Sequence, residues 1–402
     1  MPNATYSIQR YTPALRDTWD AFVSASRNGT FLLQRGFMDY HADRFTDHSL
    51  LFFRDEKLIA LLPAEEREGM LTSHGGLTYG GFIFGADGTA VSTLKCFEAL
   101  KKYLQEETQI HTLRYCPPPA FYTSYPSEED RYALFRIGGK LTALKLTSVI
   151  PLGGPLPMNQ LRKRKVKACE RAGLRLVSDT DFAAFWAVLE DNLQARHDVR
   201  PVHSLEEIQL LHERFPNNIH LHRMTDAEGS THGGCVVFET QTTAHIQYIA
   251  STPYGREHGA LDGLFARLIQ EVYAHKQWLD FGVSVEQGGA ILNEGLVMQK
   301  EGFGARAMNY ETWETVVNEK GERRKEKGEI AVRTVIKEKG EIAVRTARTA
   351  RSVVKEKGER TVRPLRQLFL LSHFSFLLSP FSSILVPHAY VPSGPKSPCA
   401  YA

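Results

Sequence analysis

The stretch STPYGREHGALDGLFARLIQE, residues 251–271, runs from the end of an apolar strand through a glycine-bearing turn into a helix. A helix start leaves backbone N–H groups unpaired and carries a partial positive charge. With Gly255, Arg256 and Gly259 beside it, the junction suits a phosphate or another anion. The same glycines also serve a plain tight turn between strand and helix. Just upstream, AHIQYIAS (244–251) alternates so that His245 and Gln247 share one face and Ile246 with Tyr248 the other. His245 is a candidate general base, because an imidazole titrates near 6.5, and Tyr248 is counted with it as a candidate catalytic group. It equally fits an ordinary strand histidine.

Downstream, DFGVSVEQGGAILNEG (280–295) gathers Asp280, Glu286, Asn293 and Glu294 where a strand ends and a helix starts. Glu286 could orient or deprotonate an amine. Asn293 and Glu294 also suit pairing with backbone and solvent in a first helical turn. Lys300 reads as part of a solvated helix face. LRKRKVKACERAG (161–173) carries Arg162, Lys163, Arg164, Lys165, Lys167 and Arg171, which spread round a helix as a local anion patch for tRNA or a nucleotide-linked sugar, or as a solvated linker helix. Other constellations fail: SHGG (73–76) is not accompanied by a G-x-S-x-G elbow, and His220 with His222 lacks a third ligand, so no metal is assigned.

The elements that must position these groups follow from periodicity. LRLVS (174–178) reads as a strand, and Phe182, Phe185, Trp186, Leu189 and Leu193 recur at helical spacing. Ser204 with Glu207 forms a capping box for a second helix. Strands at NIHLHRM (218–224), GGCVVFE (233–239) and TAHIQYIAS (243–251) should form an antiparallel meander. Leu261, Leu264, Phe265, Leu268, Ile269 and Val272 mark one apolar stripe, WLDFGVS (278–284) a buried strand, 290–302 a helix ended by Gly302, and ARAMNYETWE (305–314) a closing strand. The order β-α-α-β-β-β-α-β-α-β recurs in the first half. TYSIQRY gives a strand, Leu15, Trp19, Phe22 and Val23 a helix, QRGFMDYHA a second, and SLLFFR and KLIALLPAE two strands. A third strand near 70–83, a helix through Leu94, Phe97, Leu100 and Leu104, and the strand IHTLRYC complete it.

At 402 residues, 42% hydrophobic and 24% charged, the chain has the composition of a globular protein of two or three domains. Of its 49 basic and 46 acidic residues, 17 and 8 lie beyond residue 317, which leaves 32 against 38 and makes residues 1–317 mildly acidic. That excludes broad nucleic-acid binding except through a local patch. The five cysteines lack any CxxC pair and read as reduced. The start carries no basic-then-apolar leader pattern, which points to the cytoplasm. Residues 318–402 repeat KEKGEIAVRT at 325–334 and 337–346 and KEKGERTVR at 355–363. They are expected to form a poorly ordered extension whose apolar stretch 368–386, broken by Pro380 and several serines, is not a stable membrane span.

The chain resembles the GNAT acyltransferase superfamily, in the tandem, FemAB-like form. NGTFLLQRGFMDYHADRF, SHGGLTYGG, LRKRKVKACERAGLRL, GREHGALDGLF and above all DFGVSVEQGGAILNEGLVMQKEGFGAR carry the likeness, over about residues 5–315. The resemblance implies an α/β (α+β) fold of two GNAT-like domains, 1–150 and 151–317, with mixed sheets flanked by helices, before the tail 318–402. It implies a donor loop of pattern Q/R-x-x-G-x-G/A. Arg256 and Gly259 match that loop, whereas Leu261 stands where the last Gly or Ala belongs. The cofactor-binding set is accordingly Ile249, Gly255, Arg256, Gly259 and Ala260, and the catalytic set His245, Tyr248, Glu286 and Asn293. The implied donor is acetyl-CoA or another acyl-CoA, with aminoacyl-tRNA as the alternative. The implied function is acyl transfer to an amine of a small molecule or precursor in bacterial cell-envelope or polysaccharide metabolism. Such transfer needs a neutral amine, a carbonyl held near backbone donors and exclusion of water, and a splayed strand beside the junction supplies the donors. The alternative is a non-catalytic GNAT-like module that binds RNA or an anionic glycan precursor.

Overall fold

The computed structural model describes residues 4–197 and 201–318; the repeats, the apolar stretch and Cys399 lie outside them. In chain order the first half contains strand β1 (Tyr6–Arg10), helices α1 (Arg16–Ala25) and α2 (Arg35–Met38), strands β2 (Leu50–Arg54), β3 (Lys57–Leu62), β4 (Glu65–Arg67), β5 (Met70–Thr72) and β6 (Ile83–Phe84), helix α3 (Ala90–Glu106), strand β7 (Thr112–Tyr115), helix α4 (Glu129–Arg136) and strand β8 (Lys140–Pro151). The second half contains α5 (Gln160–Arg171), β9 (Arg175–Asp179), α6 (Phe182–His197), α7 (Leu205–Arg214), β10 (Ile219–Thr225), β11 (Thr231–Glu239), β12 (Thr243–Ser251), α8 (Pro253–His258), α9 (Ala260–Arg267), β13 (Trp278–Val283), the short hairpin strands β14 (Val285–Glu286) and β15 (Ile291–Leu292), α10 (Glu294–Glu301) and β16 (Arg306–Val316).

A four-stranded sheet runs β1-β2-β3-β6, and a ten-stranded sheet runs β4-β5-β7-β16-β8-β13-β12-β11-β10-β9. The large sheet is mixed. Its β5–β7 and β12–β13 pairs are parallel, and its other pairs are antiparallel. The expected mixed α/β architecture with helix-flanked sheets is therefore present, and β10-β11-β12 is the antiparallel meander read from the turns. β8 and β16 lie side by side in the middle of the large sheet, so strands from both halves share one hydrogen-bonded ladder. The sequence line at 150 falls inside β8.

Local chemistry accounts for the helix starts. Ser204 and Glu207 cap α7 reciprocally, and Thr89 with Ser92 does the same for α3. Asn159, Thr252 and Asn293 each accept a first-turn N–H of α5, α8 and α10. One apolar core joins Trp19, Phe31 and Phe37 to Phe185, Trp186, Phe238 and Tyr248, and another buries α9 against β11 through Leu264, Phe265, Cys235 and Val237. Cys96, Cys116, Cys169 and Cys235 are all free thiols.

Several expectations are corrected. β8 is a strand that no spacing in the sequence marks, its first half being largely exposed. The helix over QRGFMDYHA is helical in α2 alone and continues as a 3-10 turn to Arg44, because His41 leaves helical geometry. The strand near 70–83 is two strands, β5 and β6, separated by the loop that holds His74 at φ +55°. The helix expected from 290 starts at Glu294, after β15. Among the described residues, no helix is long and apolar enough to cross a membrane.

Candidate functional site

Two adjacent strands part company at the centre of the sheet. The parallel β12–β13 ladder holds Thr243, Ala244 and His245 against Trp278, Leu279 and Asp280, and it ends there. β12 continues to Ser251, whereas β13 turns at Gly282, with φ +74°, and pairs Val283 with Thr147 of β8. The β13-facing edge of β12 from Gln247 to Ala250 consequently has no strand partner. On its other edge β12 carries a bulge: Val236 pairs with Tyr248 and Val237 with Ile246, so Gln247 is the extra residue. The bulge flips the alternation. Tyr248 joins His245 and Gln247 on the face toward α6, while Ile246 packs into the α9 core, which corrects the pairing of Ile246 with Tyr248.

Asp280, fully buried, sits at the end of the ladder. It accepts hydrogen bonds from His245 Nδ1 at 2.7 Å, Tyr310 Oη at 2.8 Å, Thr147 Oγ1 at 2.5 Å, the Gly282 N–H at 2.9 Å and, more distantly, Tyr122 Oη at 3.3 Å. Burial drives its carboxyl up, but the neighbouring His245 and the hydrogen bonds from His245, Thr147 and Gly282 outweigh that and hold it below the usual carboxylate range. The same carboxylate, after burial itself, pushes the Tyr122 and Tyr310 hydroxyls well up. Behind it lies Lys300, buried rather than on the solvated face expected of it. Its Nζ donates to Gly282 O at 2.8 Å and Val283 O at 3.0 Å, and burial lowers its pKa to about 8 against the opposing pull of Asp280. The signal for Lys300 was its place in a short helix that follows the strand end, yet spacing alone gave no sign of which way it faces.

The other site residues distribute as follows. Tyr248 is buried and its hydroxyl lies 2.5 Å from His203 Nδ1. Asn293 caps α10 through Leu296 and donates to Glu286 at 3.3 Å, so these two form their own pair, and among the described residues no hydrogen bond links them to His245–Asp280. Ile249 is half-buried on the open edge of β12. At the junction, Gly255 N–H donates to Thr252 Oγ1, Arg256 N–H to Thr252 O and Gly263 N–H to Gly259 O. Gly255 is buried where a Cβ would lie 1.8 Å from His232 O, and Gly259, at φ +75°, where it would lie 2.5 Å from Lys165 O. Ala260 is fully buried, and Arg256 Nη1 bonds Asn192 Oδ1 and Ser251 O. In α5, Arg162 pairs with Asp262 and Lys165 caps the α8 carbonyls of Arg256 and Glu257, whereas Lys163, Arg164, Lys167 and Arg171 are exposed.

A cleft of about 840 Å3 opens on the β8–β16 side of this centre, lined by Gln247, Val283 and Tyr310 and by His41, His74 and His203. His41, His74 and His203 were absent from the sequence reading of the site, and only the SHGG glycines hinted at them.

Residues 158–287 match the family model described as an acetyltransferase (GNAT) domain. The fold is similar to that of FemX, at a TM-score of 0.57 and 10% identity over 77% of this chain and 97% of that one. It is also similar to L-PGS from Bacillus licheniformis, at a TM-score of 0.50 and 11% identity over 75% and 91%. No curated protein sequence matches. Residues 158–287, which contain the split strands, therefore match a GNAT acetyltransferase domain, and the described residues share the fold of FemX.

Proposed function

We propose that the protein is an N-acyltransferase that moves an acetyl or aminoacyl group from an activated carrier to a primary amine. The observation that carries this is the end of the β12–β13 ladder directly after the His245–Asp280 pair, beside the cleft. An acyl carbonyl inserted there meets the main-chain donors that residues 247–250 turn to the strand-free edge of β12. The amine nitrogen attacks that carbon, and the bond from carbon to the carrier's sulfur or oxygen breaks. His245, whose Nδ1 is engaged by Asp280, takes the amine proton at Nε2 and returns it to the leaving group.

The N–H groups of Gly255, Arg256 and Gly263 are engaged internally, and the carrier's anionic handle is assigned to the exposed cations Lys163, Arg164, Lys167 and Arg171 of α5. Four exposed cations suit the polyanionic end of a charged tRNA better than one pyrophosphate, although acetyl-CoA remains a donor to test. A cell-envelope or polysaccharide acceptor belongs to the same reading and comes from the FemAB-like resemblance of the sequence. The test offers acyl-CoA and aminoacyl-tRNA donors with a panel of amines and follows thiol release and tRNA deacylation. H245A should lower turnover by roughly 10²–10⁴-fold. Equal turnover in H245A would remove the imidazole from the mechanism, and silence with both donors would favour the second reading. In that reading the same four cations make a non-catalytic binder of RNA or an anionic glycan precursor, and RNA binding unchanged in K163A/R164A/K167A would end it.

A further inference from the structure

The cleft beside the split strands ends in polar atoms that nothing satisfies. His41 Nδ1, His41 Nε2, His74 Nδ1 and Gln247 Oε1 are buried without hydrogen-bond partners, and all three residues line this cleft. His41 is 2%, His74 5% and Gln247 7% exposed. Buried polar atoms in native proteins are paired almost without exception, so orphans converging on one open cleft mark a ligand's place. His74 also holds φ +55°, a left-handed conformation that strains a residue with a Cβ and concentrates at binding sites.

The chemistry of these orphans constrains the ligand. Burial lowers the pKa of His74 to about 4 and lowers that of His41, so both rings are neutral and each offers one donor and one acceptor. Of the cleft's four cations, Arg114 pairs with Glu314 at 2.7 Å and Arg44 with Glu207, Arg67 lies 3.8 Å from Glu68, and Lys145 forms no ion pair among the described residues. The orphaned groups are themselves uncharged, and they call for a partner that both gives and takes hydrogen bonds from neighbouring atoms, which is what adjacent hydroxyl groups do. Aromatic rings stand against the two imidazoles. Tyr40 lies 4.3 Å from His41, and Phe45 lies 5.0 Å from His41 and 5.4 Å from His74, centroid to centroid. Such a wall accepts the C–H face of a pyranose. A peptide amide, with its donor and acceptor fixed on opposite sides, satisfies these atoms less completely.

We propose that the inner end of the cleft binds the sugar ring of the acceptor, which makes the acceptor an amino sugar held by His41, His74 and Gln247. This deepens the acyl-transfer reading and rests on it for the identity of the bound amine as acceptor. The experiment titrates the full-length protein with glucosamine, its N-acetyl derivative and a lysine-containing dipeptide, by saturation-transfer NMR and calorimetry without any donor present. Both sugars should bind and the dipeptide should not. H41L/H74L should weaken sugar binding at least tenfold, and Q247M, a second variant in case the first fails to fold, should weaken it several-fold. Absent sugar binding, sugar affinity unchanged in a folded variant, or preference for the dipeptide overturns the proposal. Because binding is read without a donor, sugar binding without acyl transfer sinks the transferase reading alone, while transfer to peptide amines without sugar binding sinks this one alone.

Discussion

Lys300 is a buried cation whose Nζ donates to the Gly282 and Val283 carbonyls, and its ionisation makes two opposite pH predictions. With a folded pKa of about 8, it carries its charge at neutral pH and loses it as the pH rises through that value. If the ammonium stabilises the transition state, turnover falls above pH 8, and K300M is slow and flat across the same range. Stability moves the other way. An unfolded lysine keeps its proton to about pH 10.4, so between pH 8 and 10 the unfolded state binds more protons and the folded state gains. Urea denaturation should show a gain of about 2 kcal/mol from pH 8 to 9.5 that K300M lacks; parallel curves for the two proteins would place the titration elsewhere. Asp280 gives a test that does not depend on pH. D280A leaves His245 Nδ1, Thr147 Oγ1 and the Tyr310 hydroxyl without their buried acceptor, and should cost about 3–5 kcal/mol by chemical denaturation. A loss below about 1 kcal/mol would mean that these groups find other partners.

At the scale of elements, the junction of α8 and α9 is fixed by close backbone approach. G255A places a Cβ 1.8 Å from His232 O, against a strand carbonyl that cannot rotate away, so α8 must leave β11. The expected loss exceeds about 3 kcal/mol. G173A, with open space around its Cβ but φ +70°, should lose only about 1 kcal/mol, and similar thermal shifts for the two would refute the packing account. The same region shows what the sequence can and cannot convey. The α7 cap was legible because Ser204 and Glu207 act within four residues, and the α9 stripe because 3.6-residue periodicity survives any tertiary context. β8 was not legible: its first residues alternate weakly, and half of the strand, through Glu311-paired Leu144, lies exposed beside β16. The Tyr248 face was misread because a bulge is a tertiary feature that the alternation rule does not contain. Of the candidate site, His245 and Asp280 were both named from their strands. Their pairing, the burial of Lys300 and the histidines of the cleft depend on contacts between residues far apart in sequence, which no local pattern records.

Across the whole molecule, buried neutral histidines set an acid limit. Burial is the main cause that lowers the pKa values of His74, His203 and His222 to about 4. An unfolded histidine titrates near 6.5, so below that pH the unfolded chain binds protons that the folded one refuses. The stability these groups contribute is present above pH 6.5 and is lost as the pH falls toward 4. Each group gives a slope of about 1.4 kcal/mol per pH unit in that window, so three together approach about 4 kcal/mol per unit, enough to unfold a domain of ordinary stability near pH 5. His222 is the cleanest probe, because it lies away from the cleft, with Ser178 Oγ at 2.7 Å from Nδ1 and Tyr273 Oη at 2.9 Å from Nε2. H222Q keeps a donor and an acceptor for those hydroxyls but does not titrate. Urea denaturation from pH 7.5 to 4.5 should show the acid limb of H222Q shallower than wild type by about one third, with the two proteins converging in the neutral range apart from a constant offset. A limb of unchanged slope would assign acid unfolding to the carboxylates instead and leave the buried imidazoles without a part in it.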